Sequence, residues 1–153
     1  AGVDGVLLVD LPPEEAGEFR VAFSAHGVAL VLLASPTTGP ERMETLCGLA
    51  QGYLYYVSMA GVTGDSARLD AAAAAAHLRA IRARCPVPVV VGFGIHDAAS
   101  AAAMAVDADG VVVGSALVKA MEAAGSGRAA AAAAEFLSPL RQALDAGARG
   151  AVG

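Results

Sequence analysis

The sequence predicts an α/β fold with a parallel sheet, built from five consecutive strand–helix units. Five short apolar runs recur along the chain, and they are continuous rather than alternating, which is typical of strands buried on both faces. Helical patterns separate these runs, and right-handed strand–helix–strand units place the strands parallel with the helices outside. The predicted strands are residues 6–9, 28–33, 53–57, 87–91 and 111–113.

Caps and apolar spacing predict the helices between these strands. The first helix, 14–26, follows two prolines and stops before Gly27, the usual placement of proline before and glycine after a helix. The second helix, 40–50, spaces its apolar residues at i, i+3, i+4 and i+7: Met43, Leu46, Cys47 and Ala50. Asp70 and Asp97 are suited to cap the third and fourth helices.

A short extra helix, 115–122, and a final helix, 128–144, complete the chain. The first strand–helix turn lacks the glycine-rich fingerprint of a doubly wound dinucleotide-binding sheet. A closed barrel needs eight units. The sequence therefore favours an incomplete (β/α)8 TIM barrel. Residues 1–147 are expected to form the C-terminal portion of one such domain, whose first three units lie upstream, and 148–153 a frayed tail.

Composition excludes several classes of function. The net charge is −5, so a basic surface for nucleic acid is not expected. No apolar run approaches the ~20 residues of a membrane helix, which predicts no membrane contact and a cytoplasmic protein. Cys47 and Cys85 are expected to be reduced, buried thiols. The three histidines lack ligand spacing, so no metal site is expected.

The strongest functional signal is a pair of glycine loops after the last two predicted strands. Gly-Phe-Gly-Ile at 92–95 follows the fourth strand, and Gly-Ser-Ala at 114–116 follows the fifth and opens the short helix. Glycines let the backbone approach an anion, and the free N–H groups of a helix start carry partial positive charge. Loops after the last two strands of a barrel commonly hold a phosphate. The sequence predicts such a site, and the alternative is that these glycines only form tight turns.

A second signal is the long loop 58–69 after the third strand, since strand–helix loops usually have ~2–6 residues. Gly61 and Gly64 would serve as hinges of a lid that excludes water, with Thr63 at its tip. The alternative is a disordered insertion.

Tyr55 lies within the third strand and would contact an aromatic substrate or simply pack in the core.

Acid–base candidates are few. Asp10 would be catalytic or would cap the next helix, and Asp65 lies in the predicted lid. Asp109 precedes a strand and belongs at the opposite end of the sheet. No convincing pair for acid–base catalysis is present.

Essentially the whole chain, in order, resembles the tryptophan synthase alpha chains. The most specific segment is Tyr-Tyr-Val-Ser-x-x-Gly-Val-Thr-Gly at 55–64, which resembles their sixth strand and lid. Residues 91–95 and 109–119 resemble their seventh and eighth strands with the phosphate loops, which other phosphate-binding barrels share. Residues 1–12 and 34–38 resemble the fourth strand and the loop after the fifth.

The resemblance implies a lyase of tryptophan biosynthesis that cleaves indole-3-glycerol phosphate to indole and glyceraldehyde 3-phosphate. Gly94, Gly114 and Ser115 would hold the phosphate. The pocket for the indole and glycerol parts would be lined by Leu7, Leu33, Tyr55 and Phe93. Thr63 and Gly64 would close the lid, with Thr63 hydrogen-bonded to the catalytic aspartate.

The family's catalytic glutamate and aspartate come from the second strand and the loop after it, which have no counterpart here. The isolated chain is therefore expected to be inactive. The resemblance also implies a tryptophan synthase beta chain as partner in an alpha2beta2 complex, with pyridoxal phosphate (PLP) only in that partner and no cofactor here. The alternatives are a phosphate-binding barrel of the phosphoribosylanthranilate isomerase or indoleglycerol phosphate synthase type, or a non-catalytic half-barrel.

Overall fold

Strands and helices alternate along the computed structural model, which describes residues 2–57, 65–92 and 94–150, with 65–72 and 148–150 described by their backbone only. The strands are β1 (Gly5–Leu7), β2 (Ala29–Ala34), β3 (Leu54–Val57), β4 (Val89–Gly92) and β5 (Gly110–Val112). The helices are α1 (Ala16–Ser24), α2 (Pro40–Leu49), α3 (Asp65–Arg82), α4 (Ala98–Ala105), α5 (Ser115–Ala124) and α6 (Ala129–Gly150). The predicted order of five strand–helix units, with a short extra helix before the last, is confirmed.

The five strands form one sheet in sequence order, and each strand runs parallel to the next. All carboxyl ends of the strands therefore lie along one edge of the sheet, as in the wall of a barrel. β1 and β5 end the sheet on its two sides within the described residues. The chain thus forms a half-barrel.

One face of the sheet, here called the outer face, packs against helices. Its strand residues form a single buried cluster with residues of α2 and α3, among them Met43, Leu46, Leu78 and Ile81. The strand residues of this cluster are Leu30, Leu32, Ala34, Leu54, Tyr56, Val89 and Val91. They alternate along β2, β3 and β4, as side chains on a strand do. The predicted buried face of α2, which includes Cys47, is confirmed.

The opposite face, here called the inner face, carries the intervening residues. Directly paired residues of parallel strands share a face, and the pairs Leu7–Val31, Leu33–Tyr55 and Tyr55–Val90 link four strands. The buried cluster that joins the sheet to the helices contains none of these inner-face residues. The inner face is therefore the concave side of the half-barrel.

The cap of α4 agrees with the sequence, whereas the cap of α3 does not. Asp97 accepts a hydrogen bond from the Ser100 N–H at 2.7 Å, and the Asp97 N–H donates to the Ser100 hydroxyl at 3.1 Å, which forms a capping box. The predicted capping role of Asp70 is wrong, because α3 already begins at Asp65. Alanine is the strongest helix former, and the run at 71–76 extends this helix in both directions.

The last helix is also longer than predicted. α6 continues to Gly150, so the first three residues of the predicted frayed tail, 148–150, are helical, and 151–153 lie outside the described residues. In the described part of the chain, no helix is long and apolar enough to cross a bilayer.

Asp109 connects three elements at the amino ends of the strands. One carboxylate oxygen accepts from the Val89 N–H at 2.8 Å, and the other accepts from the Arg82 Nε–H at 2.7 Å. The Asp109 N–H in turn donates to the Val89 carbonyl at 2.8 Å. The prediction that Asp109 lies away from the loops at the carboxyl ends is confirmed, and its role is to hold β5 beside β4 and α3.

Candidate functional site

The two glycine loops leave neighbouring strands at the same level. Gly92 of β4 pairs with Val112 of β5, and Gly94 and Gly114 each follow two residues later. Neighbouring strands lie about 4.8 Å apart, so both loops start side by side at the carboxyl edge of the sheet. Gly94 has φ +70°, which side-chain-bearing residues rarely adopt, so a turn of this shape requires glycine.

α5 begins directly at this edge. Gly114 is its N-cap residue, and the Gly114 carbonyl accepts the first helical hydrogen bond from the Val118 N–H at 3.1 Å. Glycine offers no side-chain cap, so the first N–H groups of the helix, starting at the exposed Ser115, are not capped by it. These N–H groups and the helix dipole favour an anion at this point. The structure thus places Gly94, Gly114 and Ser115, the three residues expected to hold the phosphate, at the same edge of the sheet.

Three further predicted site residues, Leu7, Leu33 and Tyr55, lie on the inner face. All three are half-buried, and the strand pairing places them on β1, β2 and β3. A complete barrel would enclose this face, so these side chains are positioned to line its interior. Their predicted contact with an aromatic substrate stays a prediction.

Tyr55 reaches from β3 across to the end of β4. A Cβ atom added to Gly92 would lie 2.0 Å from the Tyr55 hydroxyl oxygen, so the phenol covers the Gly92 backbone, next to the start of the glycine loop. Burial, with a smaller contribution from Tyr53, raises the pKa of Tyr55 above its ordinary value of 10.0. The hydroxyl is therefore protonated at neutral pH and can donate a hydrogen bond at this edge.

Two residues of this edge were not recognised from the sequence. Gly92 was assigned to the phosphate loop, but it is the last residue of β4, and its lack of a side chain makes room for Tyr55. His96 was considered only as a metal ligand, yet its Nδ1 lies 2.7 Å from the Gly94 carbonyl oxygen. The signal that was available for His96 is its position two residues after a loop glycine.

Other predicted residues are placed elsewhere or not described. Thr63, Gly64 and Phe93, together with the predicted lid at 58–64, lie outside the described residues. The rest of the predicted loop, 65–69, is helical, because α3 begins at Asp65. The capping role considered for Asp10 is wrong, since Glu15 occupies the N-cap position of α1 and Asp10 lies in an exposed turn.

A cavity of the described residues lies away from this edge. It has a volume of about 390 Å³ and lies between α2 and α3, lined by Met43, Cys47, His77 and Ile81 among others. It is a groove between helices of the outer layer. The edge formed by the two glycine loops is the better candidate, because α5 begins there without a side-chain cap and the N–H groups of a helix start favour an anion.

Comparison with known proteins identifies a family. The sequence model of the tryptophan synthase alpha chain matches residues 1–145. The tryptophan synthase alpha chain of Xanthomonas campestris pv. campestris (strain B100) is 68% identical over 148 residues, which cover 96% of this chain and 54% of that protein. The alpha chain of Xylella fastidiosa (strain M12) is 67% identical over 147 residues, with 95% and 54% covered. The chain thus spans about half the length of these relatives.

Solved structures agree with the sequence comparison. A crystal structure of the tryptophan synthase alpha chain from Legionella pneumophila has a TM-score of 0.74 and 41% identity, covering 94% of this chain and 53% of that one. A structure of the tryptophan synthase a2b2 complex from Pyrococcus furiosus has a TM-score of 0.75 and 34% identity, covering 92% and 56%. The half-barrel described above therefore has the fold of part of an alpha chain.

Proposed function

This chain belongs to the tryptophan synthase alpha chain family, and we propose that it is the part of a lyase that binds indole-3-glycerol phosphate. The complete enzyme would cleave this substrate to indole and glyceraldehyde 3-phosphate. The observation that carries the proposal is the parallel pairing of Gly92 with Val112, which sets the two glycine loops side by side. The family match and the relatives' names support the reaction.

The phosphate of the substrate binds at the carboxyl edge of β4 and β5. The N–H groups around Gly94 on one loop and of Gly114 and Ser115 on the other donate to its oxygens. The dipole of α5 adds partial positive charge without any basic side chain. Gly114 also leaves the space that a phosphate needs, because a Cβ added there would meet nothing within 4 Å.

The indole and glycerol parts of the substrate extend from the phosphate along the inner face. Leu7 and Leu33 offer apolar surface there, and the Tyr55 phenol lies between this surface and the glycine loops. Phe93 completes this lining, while Thr63 and Gly64 close over the substrate, with Thr63 hydrogen-bonded to a catalytic aspartate. These last three roles rest on the family resemblance.

Catalysis needs groups that this chain does not supply. No pair of acid and base was found in the sequence, and the relatives extend well beyond the matched segment. The isolated chain therefore binds but does not cleave the substrate, and the catalytic glutamate and aspartate belong to the other half of the barrel. No cofactor is required in this chain.

The partner of the complete protein is a tryptophan synthase beta chain, which would carry PLP and receive the indole. The structural match to an a2b2 complex supports this partner, and the same stoichiometry, alpha2beta2, is proposed here. A cytoplasmic location is part of the same proposal, in agreement with two free cysteines in the described residues.

A chimera tests the function. The missing half is supplied by the N-terminal part of the Xanthomonas campestris alpha chain, whose matching part is 68% identical to this chain. We expect the chimera to release indole from indole-3-glycerol phosphate, while the 153-residue chain alone releases none. The control is the chimera with Gly114→Asp, which should bind no substrate because a carboxylate would repel the phosphate. A folded chimera that releases no indole would contradict the proposal, and so would cleavage by the 153-residue chain alone.

A further inference from the structure

We propose that His96 is a positioning residue of the phosphate site, an inference that rests on the proposed function. It acts through the backbone of the loop after β4 and does not need to touch the substrate. The observation is the hydrogen bond between His96 Nδ1 and the Gly94 carbonyl oxygen, at 2.7 Å.

The partner atom fixes which ring nitrogen carries the hydrogen. A carbonyl oxygen only accepts hydrogen bonds, so Nδ1 must be the donor. The neutral imidazole then holds its hydrogen on Nδ1, and Nε2 is left as an acceptor. Nε2 lies 3.6 Å from the carboxylate of Asp97, which is beyond hydrogen-bond distance.

This bond orients the peptide group that follows Gly94. The peptide is planar and trans, so the Gly94 carbonyl and the Ile95 N–H point in opposite directions. A carbonyl held by the imidazole therefore directs the Ile95 N–H away from the imidazole. The Ile95 side chain is buried in a cluster with Ala101 and Leu140, which holds the other end of the same peptide. The peptide between Gly94 and Ile95 is therefore fixed from two directions.

The loop is also tied to α4. The His96 N–H donates to the Ser100 hydroxyl at 3.2 Å, and the same hydroxyl takes part in the capping box of Asp97. A rigid helix start thus holds the backbone of His96, and His96 in turn holds Gly94. Because Gly94 has φ +70° and no side chain, the loop would otherwise have more conformational freedom, and phosphate binding would have to restrict it.

Three substitutions separate the positioning role from other roles of the imidazole. In His96→Asn the side-chain amide nitrogen takes the place of Nδ1 and can donate to the Gly94 carbonyl. In His96→Gln the amide reaches the place of Nε2 instead, and in His96→Ala no donor is left. A role that depends only on bulk or on the nearby Asp97 would not follow this pattern.

The experiment measures binding of inorganic phosphate to the 153-residue chain by ³¹P NMR titration. Loss of one net hydrogen bond corresponds to about two- to tenfold weaker binding, which is expected for His96→Ala and His96→Gln. His96→Asn should restore binding to that of the unaltered chain. Thermal midpoints are measured alongside, and the four proteins should unfold at similar temperatures.

The outcomes distinguish this inference from the proposed function. If the unaltered chain does not bind phosphate, the proposed phosphate site is wrong and the inference is overturned with it. If the unaltered chain binds phosphate and all three variants bind it equally well, the inference alone is overturned. Equal weakening in His96→Asn and His96→Gln would also overturn it, because Nδ1 would then have no special role. A ¹⁵N NMR spectrum that shows a neutral ring protonated on Nε2 would contradict the assigned tautomer.

Discussion

The phenol of Tyr55 occupies the space where a side chain on Gly92 would lie. A Cβ atom there would be 2.0 Å from the phenol oxygen and 2.5 Å from the ring carbon that bears it. Gly92→Ala should therefore displace Tyr55 or the end of β4 and lower the free energy of unfolding by about 1–3 kcal/mol, as overpacking does. Urea denaturation followed by circular dichroism measures this change.

Two further variants show whether the loss of stability in Gly92→Ala comes from the contact with Tyr55. Gly17→Ala is the control, since an added Cβ on Gly17 of α1 meets nothing within 4 Å. It should raise the free energy of unfolding by about 0.5–1 kcal/mol, the usual gain of alanine over glycine in a helix. In a Tyr55→Ala background, Gly92→Ala should lower the free energy of unfolding only slightly. An equal decrease with and without the phenol would show that the phenol does not cause the loss of stability.

The sequence allowed the position of the two glycine loops at the carboxyl edge to be predicted, but not the contacts of Gly92 or His96. The motifs at 92–95 and 114–116 stand directly after apolar strands, so their place at the carboxyl edge follows from the chain order. The contact between Tyr55 and Gly92 depends on the pairing register of two strands, and the bond from His96 depends on the turn at Gly94. Neither register nor turn geometry is encoded in a local pattern.

The capping box of α4 links the stability of this helix to the ionisation of Asp97. Hydrogen bonds from the Ser100 hydroxyl and then from its N–H lower the pKa of Asp97 below its ordinary value of 3.8. A lowered pKa in the folded state means that ionised Asp97 stabilises the fold above about pH 4. This stabilisation is lost as the pH falls through the lower pKa of the folded state.

Asp97→Asn keeps a good N-cap residue but cannot titrate. Its thermal midpoint should be slightly below that of the unaltered chain at pH 7, and the difference should shrink as the pH is lowered from 5 to about 3. Asp97→Ala, which removes the cap, should lower the midpoint at pH 7 by more. Scanning calorimetry across this pH range measures the difference, and a gap that stays constant with pH would contradict the role given to the ionised carboxylate.

Element ends were predicted well where a cap residue stands before a short helix, and poorly where alanines extend one. Asp97 was recognised because it directly precedes α4. Asp70 was misassigned because α3 starts earlier, at Asp65, and alanine favours helix at both sides of an internal aspartate. α6 likewise passes beyond its predicted end to Gly150. Alanine-rich segments give little information about where a helix begins or ends.

For the whole molecule, chain order alone was enough to predict the parallel sheet, since strand–helix–strand units leave few other topologies. An incomplete barrel was also expected, because five strands cannot close one. The substrate was inferred only from the resemblance. Backbone amides at a strand end recognise any phosphate, so the geometry by itself indicates the anion and the family indicates the rest of the molecule.

We expect the loops after β4 and β5 to bind one and the same phosphate through their backbone amides. The most direct measurement is a titration of the ¹⁵N-labelled 153-residue chain with inorganic phosphate, followed through its amide signals. If one phosphate binds both loops, the amide signals of Gly94, Gly114 and Ser115 should shift together and fit one dissociation constant. The amide signal of Asp109, at the other end of the sheet, should stay in place. Shifts on only one of the two loops, or different dissociation constants for the two, would contradict it.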